Sequence, residues 1–177
     1  PKGVSVIVHR TKELRFHQIF LFDGWLGGLY ASPNLQGTRS GAPMAAAWAV
    51  IQHLGLEGYQ RLTDVVLRNA DTIRSVVGGI DGLRILGQPG YHLLAIATDA
   101  EAADPIDVFA LGDALKARGW HHDRQGPPDS LHATVSNTNT AVIDEYLADL
   151  ATCADEVRGT VAADRRAHEE DGCPPAG

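Results

Sequence analysis

Cysteine is scarce. Cys153 and Cys173 are the two cysteines in 177 residues. The second stands in a polar tail, so a disulfide framework and a cysteine-based zinc site are both excluded, and a reducing, cytoplasmic setting is expected. Positive charge is also short: 15 Lys and Arg stand against 22 Asp and Glu, a formal charge of −7. No basic run interleaves with aromatics as a nucleic-acid groove requires, so nucleic acid is excluded as a partner. Long apolar runs are missing too. The longest, Ala42 to Leu56, falls short of the roughly 20 residues a membrane span needs, and no signal peptide opens the chain. An initiating Met is lacking as well, since Pro1-Lys2-Gly3 leads directly into an apolar segment; a fragment or processed piece is expected.

What is present suffices for a core: 44% of the residues are apolar, in a chain of about one domain's length. Val4–His9 is β-branched and predicts a short buried strand. Thr11–Phe22 has little periodicity and reads as a short helix or loop. Gly24–Gly41 holds five glycines in 18 residues and predicts an irregular backbone. From Ala42 the sequence MAAAWAVIQHL is apolar nearly all round, as in a buried helix, with Pro43 in its first turn.

A second helix, Glu57–Val77, places Tyr59, Leu62, Val66, Ala70, Ile73 and Val77 on one stripe and ends at Gly78-Gly79. Leu83–Leu86 and Leu93–Thr98 read as strands joined through Gly87-Gln88-Pro89-Gly90. Asp104, as N-cap before Pro105, opens a helix through Arg118 that stops at Gly119. Leu131–Val135 predicts another strand, and Asn139 to about Arg158 an amphipathic helix. This order implies an α/β or α+β sandwich, a small sheet packed with helices. Thr160 to Gly177 is charged and proline-bearing, a tail composition.

The most informative stretch is Gly24-Trp25-Leu26-Gly27-Gly28-Leu29-Tyr30-Ala31-Ser32-Pro33, followed by Gly37-Thr38-Arg39-Ser40-Gly41 at the mouth of the apolar helix. Glycines let backbone approach a ligand, a helix N-terminus offers unpaired N–H groups, and Thr38 with Arg39 adds a hydroxyl and a forked cation. These features suit a phosphate. They also suit a plain turn, in which Gly and Ser shape and cap the backbone and Arg39 pairs with a carboxylate.

Pro1-Lys2-Gly3, GGLYASP (Gly27–Pro33) and Gly37-Thr38-Arg39 together resemble the pyridoxal-phosphate-dependent sphingosine-1-phosphate lyases of the group II decarboxylase superfamily. Glu57-Gly58-Tyr59, Arg118-Gly119-Trp120, Pro127-Pro128 and Leu131-His132 extend the resemblance to about Thr152. It implies the C-terminal portion of a type I, aspartate-aminotransferase-like α/β fold. Residues 1–41 would end the large cofactor domain and form the active-site loop. Residues 42–159 would form the long helix and the small C-terminal α/β domain; the composition of 160–177, outside the resemblance, predicts a polar, disordered tail.

The resemblance further implies pyridoxal 5'-phosphate as cofactor and a homodimer with sites at the subunit interface. Thr38, Gly37 and Tyr30 would lie at the cofactor phosphate, and Lys2 and Arg39 at substrate or phosphate. The family's Schiff-base lysine belongs to a His-Lys pair before Pro-Lys-Gly and has no counterpart here, so the catalytic residues are not assigned. Arg39-Ser40-Gly41-Ala42 departs from the Arg-Pro-Gly-Gly of eukaryotic relatives. The implied reaction is retro-aldol cleavage of a phosphorylated sphingoid base to fatty aldehyde and phosphoethanolamine. The alternatives are an amino-acid decarboxylase on the same scaffold, or a non-catalytic dimerisation or binding fragment.

Other chemistry-bearing residues read as structural. His121, His122, Asp123 and His132 have ligand chemistry, but adjacent strand residues face opposite ways, so no metal site is expected. Trp25, Trp48 and Trp120 read as core or interface aromatics. Ser32 lacks a Gly-x-Ser-x-Gly elbow, which argues against a hydrolase triad.

Overall fold

The structure, a computed structural model, describes residues 3–165. They form two units that divide after Gly58. The first contains helix α1 (Lys12–Phe16), the antiparallel pair β1 (Phe20–Phe22) and β2 (Tyr30–Ser32), and the beginning of helix α2 (Gly41–Gly79). Thr11 caps α1, its hydroxyl accepting from the Leu14 amide at 3.3 Å. Helix α2 is broken at Gly55, where φ is 58° and ψ −174°; a side chain is strained at such a φ, and glycine is not.

Two expectations fail in this unit. Val4–His9 forms no strand. Val6 and Val8 are more than four-fifths exposed, and among the described residues no strand lies alongside to receive the hydrogen bonds that would make this β-branched run a ladder. The start of α2 is not buried either. Trp48 is 65% exposed, with Met44 and Ile51 half exposed, because the apolar cluster that organises the chain lies wholly in the second unit.

The second unit is an antiparallel sheet in the order β3-β4-β6-β5, formed by Leu83–Ile85, Leu93–Thr98, Ser130–Thr134 and Asp123–Gln125. It packs with the later part of α2, with α3 (Val108–Ala117) and with α4 (Ile143–Glu156). Alternation puts Leu94 and Ile96 of β4 on one face, Ile96 opposite Leu131 of β6. These join Ala70, Ile73, Val77, Phe109, Leu111, Leu115 and Leu150 in one buried cluster. Each large side chain buried there contributes about 1.5–3 kcal/mol. The small sheet packed with helices is thus the architecture that the element order implied.

Asn69, buried on α2, donates to the Ser136 carbonyl at 3.1 Å and to Thr140 Oγ1 at 2.9 Å, tying the helix to the 3₁₀ turn Asn137–Ala141. That turn replaces the start of the expected final helix, which begins instead at Ile143. Helix α3 is capped by Asp107, not Asp104. Its carboxylate accepts from the amides of Phe109 (2.9 Å) and Ala110 (3.2 Å), while Asp104 pairs with Arg158 at 3.1 Å.

Of the expected tail, residues 160–165 are described. Ala162 joins the core, and Arg165 bridges Asp107 and Asp129. The remainder, with Cys173, lies outside the described residues. Cys153 is buried in α4. No helix among the described residues is long and apolar enough to cross a membrane.

Candidate functional site

The site is built from the segment that follows Gly3. His9 shares a 2.8 Å hydrogen bond with Gln18 Oε1, and Gln18 Nε2 donates to the Pro33 carbonyl at 3.0 Å. This clasp brings the residues around α1 against the end of the GGLYASP stretch. Within that stretch Gly28 has φ 82°, a value that suits glycine and turns the chain into β2. Ser32 is buried, and its hydroxyl bonds both the carbonyl and the amide of Asn34. It therefore shapes a turn and is not poised as a nucleophile. Farther on, Ser40 Oγ accepts from the Ala42 amide at 3.4 Å, at the mouth of α2.

Beside these contacts lies an open, solvent-facing cleft of about 870 Å³. Thr38, Arg39 and Ser40 stand on its wall, and Arg10, Lys12 and Arg15 join them. Its lining holds four cationic side chains and no carboxylate. None of the four forms an ion pair among the described residues, so their charge is not spent on internal partners. A concave surface carrying one sign of charge attracts the opposite sign, and guanidinium forks match phosphate oxygens in pairs. The donor set therefore fits a phosphate-bearing ligand, including the phosphate of pyridoxal 5'-phosphate.

The residues singled out in the sequence are not all in one place. Thr38 and Arg39 line this cavity. Tyr30 lines a neighbouring one of about 370 Å³, which shares Gln18, Pro33 and Asn34 with the first. Gly37 is exposed beside Thr38 and lines neither. Lys2 lies outside the described residues. Arg10, Lys12 and Arg15 also line the cleft; a cation at every second or third position carries no signal in the sequence until the fold is known.

The histidines of the second unit have a different environment. Among the described residues no cluster of His, Cys, Asp or Glu is arranged to hold a metal. His122 bonds the Tyr146 hydroxyl at 3.0 Å, and its Nδ1 is buried with no partner among the described residues. Burial, with His121 and His132 nearby, pushes its pKa down to about 4. Trp120 lies edge-on to Tyr146 at 5.3 Å and donates to Asp149 at 2.7 Å. It is the packed tryptophan of the three, since Trp25 and Trp48 are exposed.

No family model matches the chain. Its sequence is 34% identical to the sphingosine-1-phosphate lyase of Oryza sativa subsp. japonica over 158 residues, 89% of this chain and 28% of the relative. It is 33% identical to that of Drosophila melanogaster, over 89% of this chain and 28% of the relative. The chain thus spans under a third of the length of these relatives. Among solved structures, the sphingosine-1-phosphate lyase of Burkholderia pseudomallei superposes with a TM-score of 0.73 at 34% identity, over 85% of this chain and 33% of that one. Glutamate decarboxylase of Lactobacillus brevis superposes with a TM-score of 0.60 at 13% identity, over 80% of this chain and 34% of that one. The second likeness concerns the fold alone. The chain is sphingosine-1-phosphate lyase-like in sequence, and its architecture is a portion of the type I fold of pyridoxal-phosphate-dependent enzymes.

Proposed function

We propose that this chain, sphingosine-1-phosphate lyase-like over nearly nine-tenths of its length, is the C-terminal part of a carbon–carbon lyase that uses pyridoxal 5'-phosphate. The substrate is a phosphorylated long-chain amino alcohol, and the products are a fatty aldehyde and phosphoethanolamine. The observation that carries the reading is the cavity walled by Thr38, Arg39, Arg10, Lys12 and Arg15 without a carboxylate. Residues 1–41 would complete the cofactor domain, and 42–159 would form the long helix and small domain. The enzyme would act as a cytoplasmic homodimer.

When bound, the cofactor supplies an electron sink at the substrate α-carbon. The residues of this chain supply binding and orientation. Thr38 would offer its hydroxyl, and Gly37 its backbone, to the cofactor phosphate, with Tyr30 approaching the same site. Arg39, with Lys2, would hold the phosphate of the substrate. Gripping the substrate by a phosphate remote from the reacting carbon fixes which bond at that carbon is aligned for cleavage. A carboxylate-bearing amino acid offers the site a weaker match, since a phosphate brings more charge and a third acceptor oxygen.

The test is a parallel incubation of the intact protein and pyridoxal phosphate with sphingosine-1-phosphate, glutamate or tyrosine, assaying aldehyde and carbon dioxide. Aldehyde from the phosphorylated lipid is the expected result. Carbon dioxide without aldehyde would replace the reading with an amino-acid decarboxylase, and neither product with any substrate would leave a binding fragment.

A further inference from the structure

We propose that Gln18 is a positioning residue, which sets the loop carrying Thr38 and Arg39 in the place where it can receive an anion. The inference rests on the functional reading above and extends it to a residue that touches neither cofactor nor substrate. Gln18 follows His17, the C-cap of α1, and its amide is used at both ends: Oε1 faces His9 Nε2 at 2.8 Å and Nε2 donates to the Pro33 carbonyl at 3.0 Å. Among the described residues, this second bond is the one hydrogen bond that ties Pro33–Arg39 to any residue beyond the local Ser32–Asn34 turn. The loop has no strand partner after Ser32. Between the β pairing of Ser32 and the start of α2 at Gly41, the Gln18 bond is thus the loop's one hydrogen-bonded tether to a distant residue among the described residues.

Gln18 is also shared by the linings of both cavities, with Thr38 and Arg39 on one side and Tyr30 on the other. Both ends of the amide must act together. An acceptor alone would hold His9, and a donor alone would hold Pro33, but only an amide joins His9, at the edge of the cation-bearing segment, to the start of the anion loop. A loop with one tether samples many conformations when that tether is cut, and a ligand then binds only the competent fraction. A net hydrogen bond is worth up to roughly tenfold in such a population.

Two variants of the intact protein test this. Gln18→Ala removes both bonds. Gln18→Glu keeps an acceptor for His9 but sets a carboxylate against the Pro33 carbonyl. Two readouts are needed: the initial rate of tryptic cleavage after Arg39 in cofactor-free protein, and the half-saturating concentration of pyridoxal phosphate from the fluorescence of the bound cofactor. Both variants should be cut faster at Arg39, and both should raise half-saturation by several-fold to tenfold, with cleavage in the second unit unchanged. Unchanged half-saturation in the two variants overturns the proposal, whether or not cleavage accelerates, and so does a Gln18→Glu protein that behaves as the parent. If the parent protein takes up no cofactor the functional reading fails instead, and the cleavage rates still report whether Gln18 holds the loop.

Discussion

Gly82 stands so close to Asp104 that a Cβ added to it would lie 2.4 Å from the Asp104 carbonyl oxygen. Its φ of 93° is one that glycine adopts without strain. The Gly82 carbonyl accepts from the amides of Asp99 (2.9 Å) and Ile106 (3.2 Å). The turn into β3 is thereby stitched to the segment leading into α3. Gly82→Ala therefore meets both a forbidden backbone region and a rigid backbone atom. It should destabilise the chain by roughly 3 kcal/mol or more, seen as a lower urea midpoint. A midpoint within error of the parent would show that the turn relaxes freely.

That closeness also explains an error in reading the sequence. Asp104-Pro105 has the look of a helix start, yet Ile106 is already committed to Gly82, so α3 opens three residues later on Asp107. The hairpin of β3 and β4 was legible because alternation and turn residues agree locally. Val4–His9 and the start of α2 were not, because burial depends on what lies alongside. Thr38 and Arg39, expected from the Gly-rich stretch and its spacing, do stand together on one cleft. Arg10, Lys12 and Arg15 line the same cleft, a placement that depends on tertiary contacts and has no local pattern.

Asp107 is both the cap of α3 and a partner of Arg165. Burial alone would push its carboxyl up, but the amides of Ala110 and Phe109 and the Arg165 guanidinium outweigh it and hold the pKa below the usual value. Asp107→Ala should cost about 1–2 kcal/mol at neutral pH. Because the folded pKa is the lower one, the carboxylate's contribution is complete above the unfolded value and declines as pH falls through the folded one. The difference in unfolding free energy between parent and variant should therefore shrink below pH 4. A constant difference down to pH 2 would contradict this.

Thr38 and Arg39 should separate by what they bind. Thr38→Ala removes one hydrogen bond to a charged group, so cofactor affinity should fall by roughly 1.5–3 kcal/mol, with KM for the phosphorylated substrate less affected. Arg39→Gln keeps a donor but removes the charge, and should raise KM for the phosphorylated substrate more than it weakens cofactor binding. Equilibrium titration of pyridoxal phosphate and steady-state kinetics on the same preparations distinguish the two. Identical effects of the two variants on both quantities would show that they serve one anion.

His122 gives the second unit a pH dependence of its own. Its ring packs 5.6 Å from that of Tyr146, with His121, Asp123 and His132 the nearby titrating groups. Burial and the two other histidines outweigh Asp123, so the folded pKa is down to about 4, against about 6.5 for an exposed histidine. Between these values the unfolded chain binds the proton and the folded chain does not. Stability from this group is therefore full above pH 6.5 and declines as pH falls towards 4, by roughly 2 kcal/mol once partial exposure is allowed for. Below pH 4 it declines no further. His122→Phe keeps a ring of similar size against Tyr146 and cannot take up the proton. Urea unfolding at pH 7.5 and pH 4.5 should show the parent losing more stability than this variant over the same interval, while the carboxylates common to both cancel in the comparison. Equal losses would mean that the imidazole reaches water and is protonated in the folded chain.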